Sequence, residues 1–320
     1  MVSETAGNLE NRSVKEVRIA HFSDAHVLSL TGVTPRQFLN KRWAGGVNLL
    51  FNRSRHYRIE TFELLLKAIV AVRPTHTICS GDLANLALPS EFEAVARLLH
   101  NCFSPDDLTL VPGNHDYYAK PAVKEGLFER LLHNWLPHQL DCQSPSMYPV
   151  TRLLSGVLIV GLNSAILTPV FNNSGRIGPD QLTTMRTMLS HEVGRGRFRL
   201  LFVHHALLPR RYFFRTPRSL LDGTEFIQAL HACRESQPHL VVHGHNHYFL
   251  RQKVPGMEIP LVQVASASRT GHPKKRAEFN IYVVREGALW AIERHIHDPA
   301  TGAFVPCTEA GNPIEVTVPR

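Results

Sequence analysis

Short apolar runs, each closed by a tight cluster of Asp, His or Asn, recur along this 320-residue chain and restrict it to a layered fold in which strand ends converge. Five such clusters follow strand-like runs: Asp24-Ala25-His26, Gly81-Asp82, Gly113-Asn114-His115-Asp116, His204-His205 and His243-Gly244-His245-Asn246-His247. In open α/β sheets, ligand sites gather beyond the carboxyl ends of the strands. Polar clusters far apart along the chain can therefore share one pocket.

Between the clusters, two hydrophobic periods alternate. Val17 to Phe22, His76 to Ser80, Leu108 to Val111, Tyr148 to Leu154, Val157 to Leu162, Arg199 to Val203 and Leu240 to Val242 read as strands. Tyr57 to Val72 carries Phe62, Leu65, Leu66 and Ile69 at helical spacing and stops before Pro74. Helices are also expected over Pro89 to His100 (Pro early, Ser90 and Glu93 near its start), Val123 to Trp135, Pro179 to Ser190 and Thr224 to Glu235. The last third turns to β: Tyr248 to Val254, Ile259 to Ala265, Asn280 to Arg285 and Leu289 to His295. The expected class is α/β, a four-layer α-β-β-α sandwich of two mixed sheets flanked by helices. It would span residues 17–297, after a polar tail over 1–16. In the 298–320 extension, Asp298 to Gly302 reads as a turn before Phe304-Val305, and Pro299 to Arg320 is either a final strand pair or a loose tail.

The start of the chain lacks the apolar core of a signal or an anchor, and Leu153 to Leu162 is too short to span a bilayer. Five scattered cysteines show neither zinc nor redox spacing, which fits a reducing cytoplasm. The formal charge of +8 is uneven. Thr31 to Ile59 and Val193 to Arg218 contain no acid but many arginines, among them Arg42, Arg195, Arg197, Arg199, Arg210 and Arg211. Such clusters favour an anionic partner.

Taken singly, the motifs are ambiguous. Asp-X-His can be a surface pair and Gly-Asp an ordinary turn. Asp24 and His26, or His245 and His247, lie two apart, and a strand puts alternate residues on one side. Asn114, His115 and Asp116 set three polar groups beside a buried strand, where each needs a partner. Carboxylate, imidazole and amide oxygen suit Mn, Fe, Zn or similar ions, and no thiolate asks for a softer one.

In order and context, these motifs strongly resemble the calcineurin-like metallophosphoesterase superfamily. The matching residues are Asp24-X-His26, Gly81-Asp82, Gly113-Asn114-His115-Asp116, His204 and Gly244-His245-X-His247. The resemblance implies two divalent ions. Asp24, His26, Asp82 and His247 would hold one. Asp82, Asn114, His204 and His245 would hold the other, with Asp82 as the bridge. A hydroxide shared by the two ions would attack phosphorus in line. His115 would stand near the leaving oxygen, with Asp116 behind it fixing the ring. Purple acid phosphatases carry a tyrosine three residues after the bridging Asp, where this chain has Asn85. Ser/Thr protein phosphatases continue Asp-Arg-Gly, where it reads Leu83-Ala84-Asn85-Leu86. The pattern is most similar to a bacterial group that includes cyclic-nucleotide phosphodiesterases.

Two inserts beyond His26 and His204 mix aromatic and basic residues: Phe38 to Tyr57, and Leu207 to Arg218 with Arg210-Arg211-Tyr212-Phe213-Phe214. They suit an anionic membrane face or an amphiphilic substrate such as a lipid-linked nucleotide, UDP-diacylglucosamine being one that the superfamily cleaves. Single-stranded nucleic acid is a weaker fit. Arg42, Arg210, Arg211 and His205 are the candidate substrate contacts. The expected protein is a cytoplasmic phosphodiesterase or pyrophosphohydrolase able to work at a membrane face. A nuclease and a silent binding protein are the competing readings.

Overall fold

The computed structural model describes residues 16–38, 41–43, 57–140, 147–170, 172–207, 218–270 and 275–307. Arg210, Arg211 and most of both inserts lie outside these residues.

Twelve described strands form two six-stranded sheets. The first runs β12-β11-β10-β1-β2-β3. Its parallel half is β1 (Glu16–Phe22), β2 (His76–Cys79) and β3 (Leu108–Leu110), with Phe22 beside Cys79 and Cys79 beside Leu110. Its antiparallel half is β10 (Glu278–Arg285), β11 (Ala288–His297) and β12 (Phe304–Pro306). The second sheet runs β4-β5-β6-β7-β9-β8. Here β5 (Val157–Leu162), β6 (Phe198–Val203), β7 (Leu240–His243) and β9 (Pro260–Gln263) are parallel. The edges β4 (Val150–Leu154) and β8 (Leu250–Lys253) are antiparallel.

Alternation along β6 shows how the layers are held. Phe198, Leu200 and Phe202 join the core shared by the two sheets, whereas Leu201 and Val203 turn to the opposite face. That outer face is covered by α5 (Pro179–Ser190) and α6 (Gly223–Ala232) through Leu182, Met185, Phe226 and Leu230. On the first sheet α1 (Ile59–Ala71) and α2 (Pro89–His100) bury Phe62, Leu65, Leu66, Phe92 and Val95. Phe92 meets Phe128 of α4 (Leu127–Leu132) edge-on, centroids 6.2 Å apart. The result is the α-β-β-α sandwich.

Two expectations need correction. The single helix expected over Val123 to Trp135 is divided into α3 (Lys120–Lys124) and α4, because Gly126 adopts φ 55°, a left-handed conformation that ends a helical run. At the start of α2 the backbone is capped by Glu91 rather than by Ser90 with Glu93. The Glu91 carboxylate accepts from Leu88 N at 3.1 Å.

Candidate metal centre

The metal motifs sit at the carboxyl ends of β1, β2 and β3 in one sheet and of β6 and β7 in the other, so the site straddles both. β1 stops at Phe22; Asp24 and His26 lie beyond it and are not alternate strand residues. Their register is kept by bonds to the next loop: Asp24 N donates to Gly81 O at 2.9 Å and His26 N to Asp82 O at 3.0 Å. Asp24, His26, Asp82, His245 and His247 all have positive φ, between 46° and 74°. Left-handed backbone, not strand alternation, aims these side chains. Gly81 has φ 94°, and a Cβ there would strike the backbone of Pro112 and Gly113. The β2 and β3 loops touch because this residue has no side chain.

Two groups of side chains result, all buried except the half-buried His247. Asp24, His26, Asp82 and His247 present ligand atoms within 4.8 Å of one another; His204, His205 and His245 form the other such group. His26 Nε2 lies 3.1 Å from His247 Nε2, and His247 Nε2 lies 3.0 Å from Asp24 Oδ1. His204 Nε2 is 3.2 Å from Asn114 Oδ1 and 3.1 Å from His245 Nδ1. Asp82 stands between: its Oδ2 is 3.4 Å from His204 Nε2 and 3.8 Å from His26 Nε2.

Neighbours orient the rings. His204 Nδ1 donates to Ser80 O at 2.7 Å, which turns Nε2 towards the pocket. His247 Nδ1 pairs with the Tyr57 hydroxyl at 2.7 Å. The two groups fit divalent ions on three counts. All donors are N or O. Nε2 of His205 and of His245 are buried without hydrogen-bond partners. Burial lowers the pKa of His204, yet Asp82 and Asp24 outweigh it and lift His204 to about 9, so the pocket is negative enough to draw positive charge.

Beside the ligands, His115 meets the His26 ring edge-on at 4.7 Å and stacks on Tyr118. Its backbone N donates to Asp82 Oδ1 at 2.7 Å, and its Nδ1 donates to Asn85 O, also at 2.7 Å. Asp116 therefore does not hold the His115 ring. Its carboxylate accepts from Ala84 N and Gly113 N, each at 2.8 Å, and so clamps the β2 loop to the β3 loop. Burial and then the Asp82 charge push Asp116 up to about 8.

The expected substrate contacts fare differently. Arg42 is buried and donates to the carbonyls of Leu86 and Ala87, so it holds this loop rather than facing outward. His205 is also buried, bonded through Nδ1 to Ser164 Oγ at 2.7 Å, with its ring 4.7 Å from that of His245. No sequence motif marks Tyr57, Ser80 or Asn85, which orient the three working histidines; two of them act through backbone carbonyls that any residue could supply.

A family model for calcineurin-like phosphoesterases matches residues 17–249. The chain belongs to that family. The family is one of metal-dependent phosphoesterases. No curated protein matches the chain. Among solved structures it is similar to a purple acid phosphatase from yellow lupin seeds, with a TM-score of 0.53 at 11% identity over 92% of this chain and 53% of that one. It is also similar to a putative 5'-nucleotidase from Staphylococcus aureus (TM-score 0.46, 12% identity, 92% and 53% covered). The NAD nucleotidase of Haemophilus influenzae gives 0.44 and 13%, with 92% and 54% covered. The chain thus spans about half the length of each of these proteins. The lupin enzyme shares the fold. No described helix is long and apolar enough to cross a membrane.

Proposed function

We propose that the protein hydrolyses phosphodiesters or pyrophosphates with a dinuclear centre. One observation carries this reading: a single oxygen of Asp82 lies within 4 Å of ring nitrogens from both ligand groups. Two divalent ions held there, Mn, Fe, Zn or similar, would supply an activated water and neutralise phosphoryl charge. The protein's own part is positional. Asp82 takes its second oxygen out of play by accepting the His115 amide. His115, its ring oriented by the bond from Nδ1 to Asn85 O, is the group that would meet the leaving oxygen, and a proton delivered there is worth ~10²–10⁴-fold. The test is metal content and turnover of a chromogenic diester with Mn. Asp82→Ala should lose both the second equivalent of metal and all activity, whereas an active variant binding two ions would refute the bridge.

A second reading, an amphiphilic substrate such as a lipid-linked nucleotide met at an anionic membrane face, is supported by the rim. Lys41 Nζ donates to Thr168 O at 3.0 Å and lies 4.6 Å from the Tyr118 ring, which itself stacks on His115. Beside these two anchors stand Trp43, 61% exposed, and Leu167, 44% exposed. Apolar side chains held outward beside a catalytic histidine suit acyl chains. Trp43→Ser should then depress turnover of the lipid-linked substrate and spare the small diester. Equal effects on both would reject it.

A further inference from the structure

The metal centre uses one end of the second sheet. A concavity of about 820 Å³ lies at the other, among the entries to β6 and β7, the ends of α5 and α6 and the β10–β11 turn. Arg199 in its wall is five positions before His204, on the order of 17 Å along an extended strand. The wall is basic: Arg195, Arg197, Arg199 and Arg234, with His191 and His239. Arg195, Arg197 and Arg199 belong to the acid-free stretch Val193 to Arg218, and none of the three is used by the metal site.

Two guanidinium groups are fixed. Arg199 donates to the carbonyls of Gln237, Glu235 and Gly194 at 2.9, 3.0 and 3.2 Å, and Arg197 donates to Val193 O at 2.6 Å. Carbonyls hold them without cancelling their charge, and no described carboxylate pairs with any of the four arginines. The acids in the lining, Glu235 and Glu286, are both on exposed turns. Charge fixed in a concave wall focuses positive potential. The histidines add aimed donors. His191 Nδ1 accepts from Val193 N at 3.2 Å and His239 Nδ1 from Arg199 N at 2.9 Å, so Nε2 carries the proton in each.

We propose that this cavity is a second binding site, for a small phosphorylated ligand of nucleotide size. The volume lies in the range of small-molecule pockets, and arginine forks match phosphate oxygens two at a time. The Glu286-Gly287 turn joins two strands of the first sheet, and the rest of the wall comes from Arg199 of β6 and from the helix ends and loops packed on the second sheet, so a bound ligand would touch both halves. The site stands independently of the metal reading.

Calorimetric titration of the full chain with ADP, without added metal, tests it, with inorganic pyrophosphate run in parallel. Three forms are compared: wild type, Asp82→Ala, and Arg195→Glu with Arg234→Glu. The Arg195 and Arg234 side chains are exposed and unbonded, so their reversal should leave the melting temperature and the metal-dependent diester turnover unchanged. ADP and pyrophosphate should bind wild type and Asp82→Ala alike, and bind the double reversal ~100-fold more weakly, about tenfold for each charged contact. Binding that survives the double reversal, vanishes with Asp82→Ala, or is absent from all forms at millimolar ligand overturns the proposal.

Discussion

Replacing Glu91 by alanine should damage a site that Glu91 never touches. Residues 84–88 form a loop that is buried throughout, although buried loops are rare because their backbone groups need partners. Glu91 Oε2 accepts from Leu86 N at 2.8 Å, Leu88 N at 3.1 Å and Asn85 N at 3.3 Å, while Arg42 serves the carbonyls of Leu86 and Ala87 from the other side. A buried donor left alone costs ~1–3 kcal/mol. Counting the two shorter bonds, Glu91→Ala should cost about 4 kcal/mol, whereas Glu91→Gln keeps an acceptor oxygen and should stay within about 1 kcal/mol. The loop starts next to Asp82 and includes the carbonyl that holds His115. A shift of about 1 Å there should lower kcat by ~10²-fold. Urea unfolding and diester turnover measure the two effects. A loss of under 0.5 kcal/mol (roughly the effect of a neutral surface change), or full kcat in a destabilised Ala variant, would refute the argument.

Tyr57→Phe deletes the hydroxyl on His247 Nδ1 and should weaken metal binding by ~10–100-fold with every ligand intact, read by competition with a chelator. Gly81→Ala places a Cβ against the backbone of residues 112–113 in a left-handed turn, so the variant should melt far lower or fail to fold, followed by thermal denaturation. Stability should fall as acid is added below pH 6.5. Burial holds His21 and His76 down to about 3, so the unfolded chain takes up protons that the folded one refuses, and the loss continues as pH drops towards 3. Glu91 has the opposite sign: burial raises it from 4.5 to about 7, so its contribution weakens as pH rises through that interval, and Glu91→Gln should remove that slope from urea midpoints measured against pH.

What could be read from the residues alone follows physical lines. Many strands and helices were legible to within a residue or two, as at Pro89–His100, but the helix expected over Val123 to Trp135 was not, because its break depends on the backbone of Gly126. The motif side chains were expected to meet, and they do, but by a different route. Alternation in a strand was the stated reason, and left-handed loop residues tied to the β2 loop are the actual one. Asp116 was expected behind His115; it clamps two loops because its carboxylate lies opposite two orphan amides, a pairing that only the fold creates. Arg42 was expected to contact substrate, because composition does not reveal that a guanidinium is needed under a buried loop. Glu91, Tyr57 and Asn85 carry no motif at all.

The five motif residues in left-handed conformation limit how this centre can change. Outside glycine, that backbone best tolerates Asn, Asp and His, and those are the same small polar side chains that hard and borderline cations accept. Exchanges within that trio can alter affinity without disturbing the chain. A branched or bulky replacement meets a steric penalty before its coordination chemistry is ever tried. Tuning of reactivity is thereby directed outward, to supports such as Tyr57 and Asn85, where the backbone allows wider choice.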